Sequence, residues 1–241
     1  MRICAAQTKP FKGDIEKNIS QHLELLDQAV EGGADVVIFP ELSITGYEPT
    51  LANELATSAS DSRLDVFEEL SNKHNLAIVI GAPLREENEV FIGMVIFRPN
   101  QPRTSYFKKH VFPTETPYFA CGSEPSNFMI HGKNIGLAIC YEISVQEHQQ
   151  AAVDGGANMY LAGAVESVEG IDSDLTKMAN TAKRFSIPTL LANCVGMSGE
   201  YHCAGRSSIW NRTGELMGQL SEDKIGTLIY ATDSGQILKT E

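Results

Sequence analysis

The chain has 241 residues, of which 42% are hydrophobic and 21% charged, and 19 Lys+Arg against 31 Asp+Glu leave a formal charge of −12. Those proportions describe an ordinary globular chain, long enough to bury a sizeable core without disulfide staples. An acidic balance, relieved nowhere more than at Lys108-Lys109-His110, makes the chain a poor candidate for phosphate-backbone binding, which needs a basic surface.

Residues 2–8 read as a buried strand, with no signal-peptide apolar core before it. Asp14 can cap a helix whose apolar positions are Ile15, Ile19, Leu23, Leu26 and Val30, one stripe at helical spacing, stopped by Gly32-Gly33. Val36-Val37-Ile38-Phe39 is a short apolar strand ended by Pro40. A second helix spans about 61–74 with Leu64, Phe67 and Leu70 inward, and strands follow near 76–82, 90–97 and 103–108. An irregular segment (109–125) precedes two strands, 126–130 and 133–139, the second leading to Cys140. Then come a helix (144–154), a strand (159–162), a helix (172–185) and a strand (188–195). A Gly/Ser-rich loop (196–206) precedes strands near 207–211, 215–220 and 225–232. No stretch approaches the length needed to cross a bilayer.

Strands that alternate with helices predict an α/β fold with helices layered on sheets, and no composition shift divides residues 1–241, which read as one domain. One segment echoes another: Ala29-Val30-Glu31-Gly32-Gly33-Ala34-Asp35 resembles Ala152-Val153-Asp154-Gly155-Gly156-Ala157-Asn158. Either this is the ordinary form of a helix-to-strand connection, or two related halves surround one central pair of sheets. Cysteines at 4, 121, 140, 194 and 203 are odd in number and irregular in spacing, so a disulfide framework is not expected and a cytoplasmic setting is.

Three segments put a chemically capable group at the end of an apolar strand. Glu41 follows the strand 36–39 by two residues, where partial desolvation raises a carboxylate toward a working base, though solvated glutamates are common at strand ends. Lys108 shares a strand face with Tyr106 and His110, where it could hold an oxyanion or simply make a basic edge. Cys140 ends the run Gly136-Leu137-Ala138-Ile139, at a turn into a helix whose N–H groups would favour a thiolate; a buried cysteine is also often mere packing. A reactive Cys140 should alkylate before the other thiols at neutral pH.

Taken together, Phe39-Pro40-Glu41-Leu42 through Gly46-Tyr47, Tyr106-x-Lys108-x-His110 and Gly136-x-x-Ile139-Cys140-Tyr141-Glu142 resemble the nitrilase superfamily of carbon–nitrogen hydrolases. The likeness continues in Gly155-Gly156-Ala157-Asn158, Asn193, Gly196 and 205–210. It implies a four-layer α-β-β-α sandwich of the nitrilase type. It implies Glu41 as general base, Cys140 as nucleophile and Lys108 as oxyanion stabiliser, with Glu115, Tyr141 and Tyr47 positioning substrate. The expected reaction is hydrolysis of a small non-peptide amide through a Cys140 thioester. Nitrile or N-carbamoyl hydrolysis by the same residues, and a binding protein without turnover, are the alternatives. No cofactor or metal is expected; the expected partners are a small-molecule amide and further copies of the chain, a dimer first among them, with no nucleic acid or membrane. Where many relatives carry Arg after the Cys-Tyr-Asp/Glu run, this chain has Ile143-Ser144-Val145-Gln146, which weakens transfer of a dicarboxylate ω-amide as substrate.

Other features carry less. Cys194, His202 and Cys203 fit no common zinc spacing and are expected to line the pocket. A Cys140 pair with His110 or His202 is made redundant by Glu41 and Lys108. His22, His74, His131 and His148 are expected on surface helices or turns. Substrate contacts are expected from loops near 47–54, 112–122, 163–170 and 196–206.

Overall fold

The computed structural model describes residues 1–241. In chain order the elements are β1 (Arg2–Gln7), α1 (Ile15–Glu31), β2 (Val36–Ile38), α2 (Ala52–Leu55), α3 (Asp65–His74), β3 (Ala77–Glu86), β4 (Glu89–Phe97) and β5 (Thr104–Phe107). They continue with β6 (Asn127–Ile130), β7 (Lys133–Ile139), α4 (Gln146–Asp154), β8 (Met159–Gly163), α5 (Ile171–Phe185), β9 (Thr189–Ala192), β10 (Val195–Ser198) and β11 (Tyr201–Ala204). The last are β12 (Ser208–Trp210), β13 (Leu216–Gln219), β14 (Gly226–Ala231) and β15 (Ile237–Thr240).

Two sheets form, ordered β15-β14-β1-β2-β3-β4-β5 and β13-β12-β9-β8-β7-β6. At the heart of each, three strands run parallel: β1, β2 and β3 in one, β7, β8 and β9 in the other. Side-chain alternation explains why these strands are apolar on both faces. Ile3, Ala5, Val36 and Ile38 face Leu137, Ile139, Leu161 and Leu190 of the second sheet in one central core. Cys4, Ala6, Val37 and Phe39 point the other way, onto the buried face of α1 and α3. Ala138, Tyr160 and Ala162 point outward onto α4 and α5. The result is the expected α-β-β-α sandwich.

The echoed segments fold alike. Gly32 and Gly155 donate to the carbonyls four residues back, Gly33 and Gly156 to Val30 and Val153, and Ala34 and Ala157 to Ala29 and Ala152. Gly33 and Gly156 have φ of +68° and +90°, a region only glycine enters freely. Asp35 then exchanges backbone and side-chain hydrogen bonds with Arg2 at the start of β1, as Asn158 does with Asn134 at the start of β7. The reading of two related halves therefore describes this turn and the register after it.

Three expectations change. Residues 196–206 are not a loop: β10 and β11 make an antiparallel hairpin through Gly199, at φ +60°. The strand expected over 188–195 breaks at Asn193-Cys194, because Asn193 turns its amide to Glu166 and Gly205 carbonyls and leaves the ladder. His22 and His148 are buried, not at the surface. No helix is long and apolar enough to cross a membrane.

Candidate active site

Cys140 sits at the tip of β7, where the chain leaves the sheet through a short helical turn, Cys140–Ser144. Its φ is +45°, a left-handed conformation that costs a side-chain-bearing residue about 1–2 kcal/mol. The wholly buried carboxylate of Glu142 offsets that strain. Its Oε2 accepts from Ile139 N–H (2.8 Å), and its Oε1 accepts from Lys109 N–H (2.7 Å) and the Tyr106 hydroxyl (2.7 Å). One carboxylate thus ties the thiol's turn to the residue after Lys108. Tyr106 meets His148 Nε2 at 2.8 Å, and His148 Nδ1 meets the Tyr160 hydroxyl at 2.8 Å. A neutral imidazole satisfies both contacts, and burial lowers His148 to about 4, which keeps it neutral.

Glu41 follows β2 in a turn anchored from three sides. His22 on α1 bonds Ser43 Oγ at 2.8 Å, and that Oγ accepts from Gly81 N–H at 3.2 Å. Asn18, also on α1, donates to the Ile44 carbonyl at 3.0 Å. Gly81 and Gly163 are glycines because a Cβ would stand 2.3 Å from the Pro40 carbonyl and 2.4 Å from the Phe39 carbonyl, respectively. The backbone carrying Glu41 is thus clamped between β3 and β8.

Lys108 follows β5 and is wholly buried. Its Nζ donates to Glu41 Oε1 at 2.7 Å and lies 3.0 and 2.9 Å from the two Glu115 oxygens. Glu115 also accepts from the Tyr47 hydroxyl (2.9 Å) and from Phe112 N–H (2.7 Å). Burial works against the ammonium, but the Glu41 and Glu115 charges outweigh it and hold Lys108 above the usual lysine range. Burial pushes Glu41 up to about 7, with Lys108 pulling the other way.

The Cys140 thiol is raised well above its usual value by burial and by the Glu41 and Glu166 charges, against a smaller effect of Lys108. That direction runs against the expectation of a thiolate favoured at rest and of first alkylation at Cys140. Burial, with the carboxyl groups beside the sulfur, outweighs one ammonium and the turn's N–H groups, so the thiol holds its proton more tightly.

A cleft of about 340 Å³ opens over this group, lined by Glu41, Glu115, Tyr47 and Cys140 and rimmed by Tyr141, whose half-exposed ring stacks edge-on against Phe112 at 5.2 Å. The loops expected around it contribute Tyr47, Phe112, Glu115, Val165–Ser167, Gly170 and Tyr201, whereas 48–54 do not reach it. Cys194, just before the hairpin, and Cys203, within it, are buried and do not line the cleft. The sequence reading did not single out Glu166, Asp174 and Lys177, which also line it. Glu166 Oε1 lies 3.4 Å from Cys140 Sγ. A signal was present: Glu166 follows an apolar strand end, β8, much as Glu41 follows β2.

A carbon–nitrogen hydrolase family model matches residues 2–240. A probable nitrilase of Schizosaccharomyces pombe is 25% identical over 96% of this chain and 88% of its own length. The 2-oxoglutaramate amidase of Bacillus subtilis is 28% identical over 77% of this chain and 73% of its own. Among solved structures, the NitN amidase of Nesterenkonia sp. AN1, 24% identical, superposes with a TM-score of 0.86 over 95% of this chain and 91% of that one.

Proposed function

The chain belongs to the carbon–nitrogen hydrolase family, and on that premise we propose that it hydrolyses a small non-peptide amide through a thioester on Cys140. The observation that carries the reading is the buried Lys108 ammonium, held by Glu41 at 2.7 Å and by Glu115, beside a thiol at a strained strand tip. The amidase of Nesterenkonia sp. AN1 supports it: one of its structures has acrylamide added at the active-site cysteine, and another holds butyramide. The 2-oxoglutaramate amidase supports amide chemistry, but no arginine lines the cleft here to receive a carboxylate.

Each step follows from the proton and charge balance of the site. Cys140 Sγ attacks the amide carbon as Glu41 takes the thiol proton; a carboxylate raised to about 7 is matched to that transfer near neutrality. The carbonyl electron pair moves to oxygen, where Lys108 and the Tyr141 N–H receive it, the latter in a first helical turn with no intrahelical acceptor. Collapse breaks the C–N bond, and the Glu41 proton leaves with ammonia or amine. Glu41 then takes a proton from water, the hydroxide adds to the thioester, and the acid departs as the thiol is restored. Glu115 and Tyr47 position Lys108 and substrate.

Replacing Cys140 by Ala should cut ammonia release from an amide panel by about 10⁴-fold or more with the fold intact. Release that survives in the folded variant would sink the proposal.

A further inference from the structure

The cleft is also lined by a carboxyl, Glu166, that no basic group in the protein pairs. Lys108 is shared by Glu41 and Glu115, and Lys177 is taken by Asp174 at 2.6 Å and Ser144 at 2.8 Å. Glu166 has no basic partner within ion-pair distance. Its place is fixed nonetheless: its N–H donates to Asn193 Oδ1 at 2.9 Å, and its carbonyl accepts from Asn193 Nδ2 and from Ala204 N–H. Burial and the neighbouring Asp174 carboxyl push Glu166 up to about 8, so at neutral pH a proton fills the place of the missing cation.

Two observations bear on what the cleft receives. Glu41 Oε2 is buried without any hydrogen-bond partner, in a side chain that lines the same cleft. Four aromatic rings, from Tyr47, Phe112, Tyr141 and Tyr201, line the same cleft, and their faces attract a cation; the one lysine there, Lys177, is already taken by Asp174.

We infer that the cleft selects amides bearing a primary ammonium one or two carbons from the reacting carbonyl, with Glu166 as the residue that receives it, and that it rejects amides bearing a carboxylate there. The inference rests on the amide-hydrolase reading. A carbonyl carbon in attacking position over Cys140 Sγ puts its nearby substituents within reach of a carboxyl 3.4 Å from that sulfur. The ammonium would displace the proton held on Glu166 and donate to both Glu166 and Asp174.

The test compares kcat/KM, by ammonia release, for glycinamide and β-alaninamide with their uncharged isosteres propionamide and butyramide, and with succinamate. The ammonium amides should exceed their isosteres by about tenfold or more, the worth of a charge-assisted hydrogen bond, and succinamate should be slowest. Glu166→Gln should collapse the ammonium-to-neutral ratio by about tenfold, mainly through KM, and Glu166→Asp should restore part of it. Neutral isosteres turned over as well as or better than the ammonium amides by the wild type, with release still abolished in Cys140→Ala, overturn this inference and leave the proposed function standing. That comparison needs no Glu166 variant to fold. A ratio unchanged in Glu166→Gln also overturns it. Release from no amide, or release that survives Cys140→Ala, overturns the proposed function and this inference together.

Discussion

Glu41 must be ionised to take the thiol proton, and its carboxyl is held at about 7. The value is raised, so the working form appears only as pH climbs through it: kcat/KM should rise from pH 5.5 to 8.5 with a midpoint near that value. Lys108, held above its usual range, should impose no alkaline fall across that span. A flat profile measured over the same span would contradict Glu41 as base. The thiol yields a second expectation. Cys140 is protonated at rest and Cys121 is exposed, so iodoacetamide at pH 7 should label Cys121 first, read by peptide mass spectrometry. Prior labelling of Cys140 would show that Lys108 governs the sulfur after all. The strand-end rule made Glu41, Lys108 and Cys140 legible, because each follows an apolar run. It did not single out Glu166, whose meaning depends on what lies across the cleft. Nor did it reveal buried His22, which occupies a helix position a surface residue could equally hold, and whose partner Ser43 is 21 residues away.

At the level of elements, the central strands and their helices were readable from periodicity, since β1, β2, β7 and β8 are apolar on both faces. The β10–β11 hairpin was not, because Gly196, Ser198 and Gly199 look like a loop, and its Ser198 Oγ accepts from the distant Tyr47 N–H at 2.8 Å. Glycine positions also needed tertiary context. Gly163 ends β8, and only the neighbouring sheet shows why it lacks a side chain. An alanine there meets the Phe39 carbonyl at 2.4 Å, which must push β2 and β8 apart. Gly163→Ala should destabilise the protein by about 1–3 kcal/mol. By moving Glu41 relative to Cys140 it should lower kcat about 100-fold, more than its effect on KM. Unchanged kcat alongside a lowered Tm would show that the clamp serves packing only.

For the whole molecule, buried titratable groups shape stability from both sides. His22 and His148 are lowered to about 4, so the folded state binds their protons less tightly than the unfolded one, and stability is lost as pH falls from 6.5 toward 4. Glu41 and Glu166 are raised to about 7 and 8, so their contribution is lost as pH rises from 4.5 through those values. The two effects oppose each other below 6.5, and only the carboxyls act above it. Stability should therefore fall between pH 6.5 and 8 by an amount on the order of 2 kcal/mol, read as a falling Tm. Self-repulsion from a formal charge of −12 acts in the same direction. The double variant Glu41→Gln/Glu166→Gln should flatten that decline in a calorimetric series, and an equally steep decline in it would refute the assignment. The repeated Gly-Gly turn carries a consequence for ancestry. Arg2 and Asn134 make the same bonds to Asp35 and Asn158, so counting along β1 and β7 brings Thr8 to the place of Cys140. Thr8 presents a buried hydroxyl with no partner. A unit written twice would offer two equivalent strand tips for a nucleophile; here one bears sulfur and the other a silent oxygen.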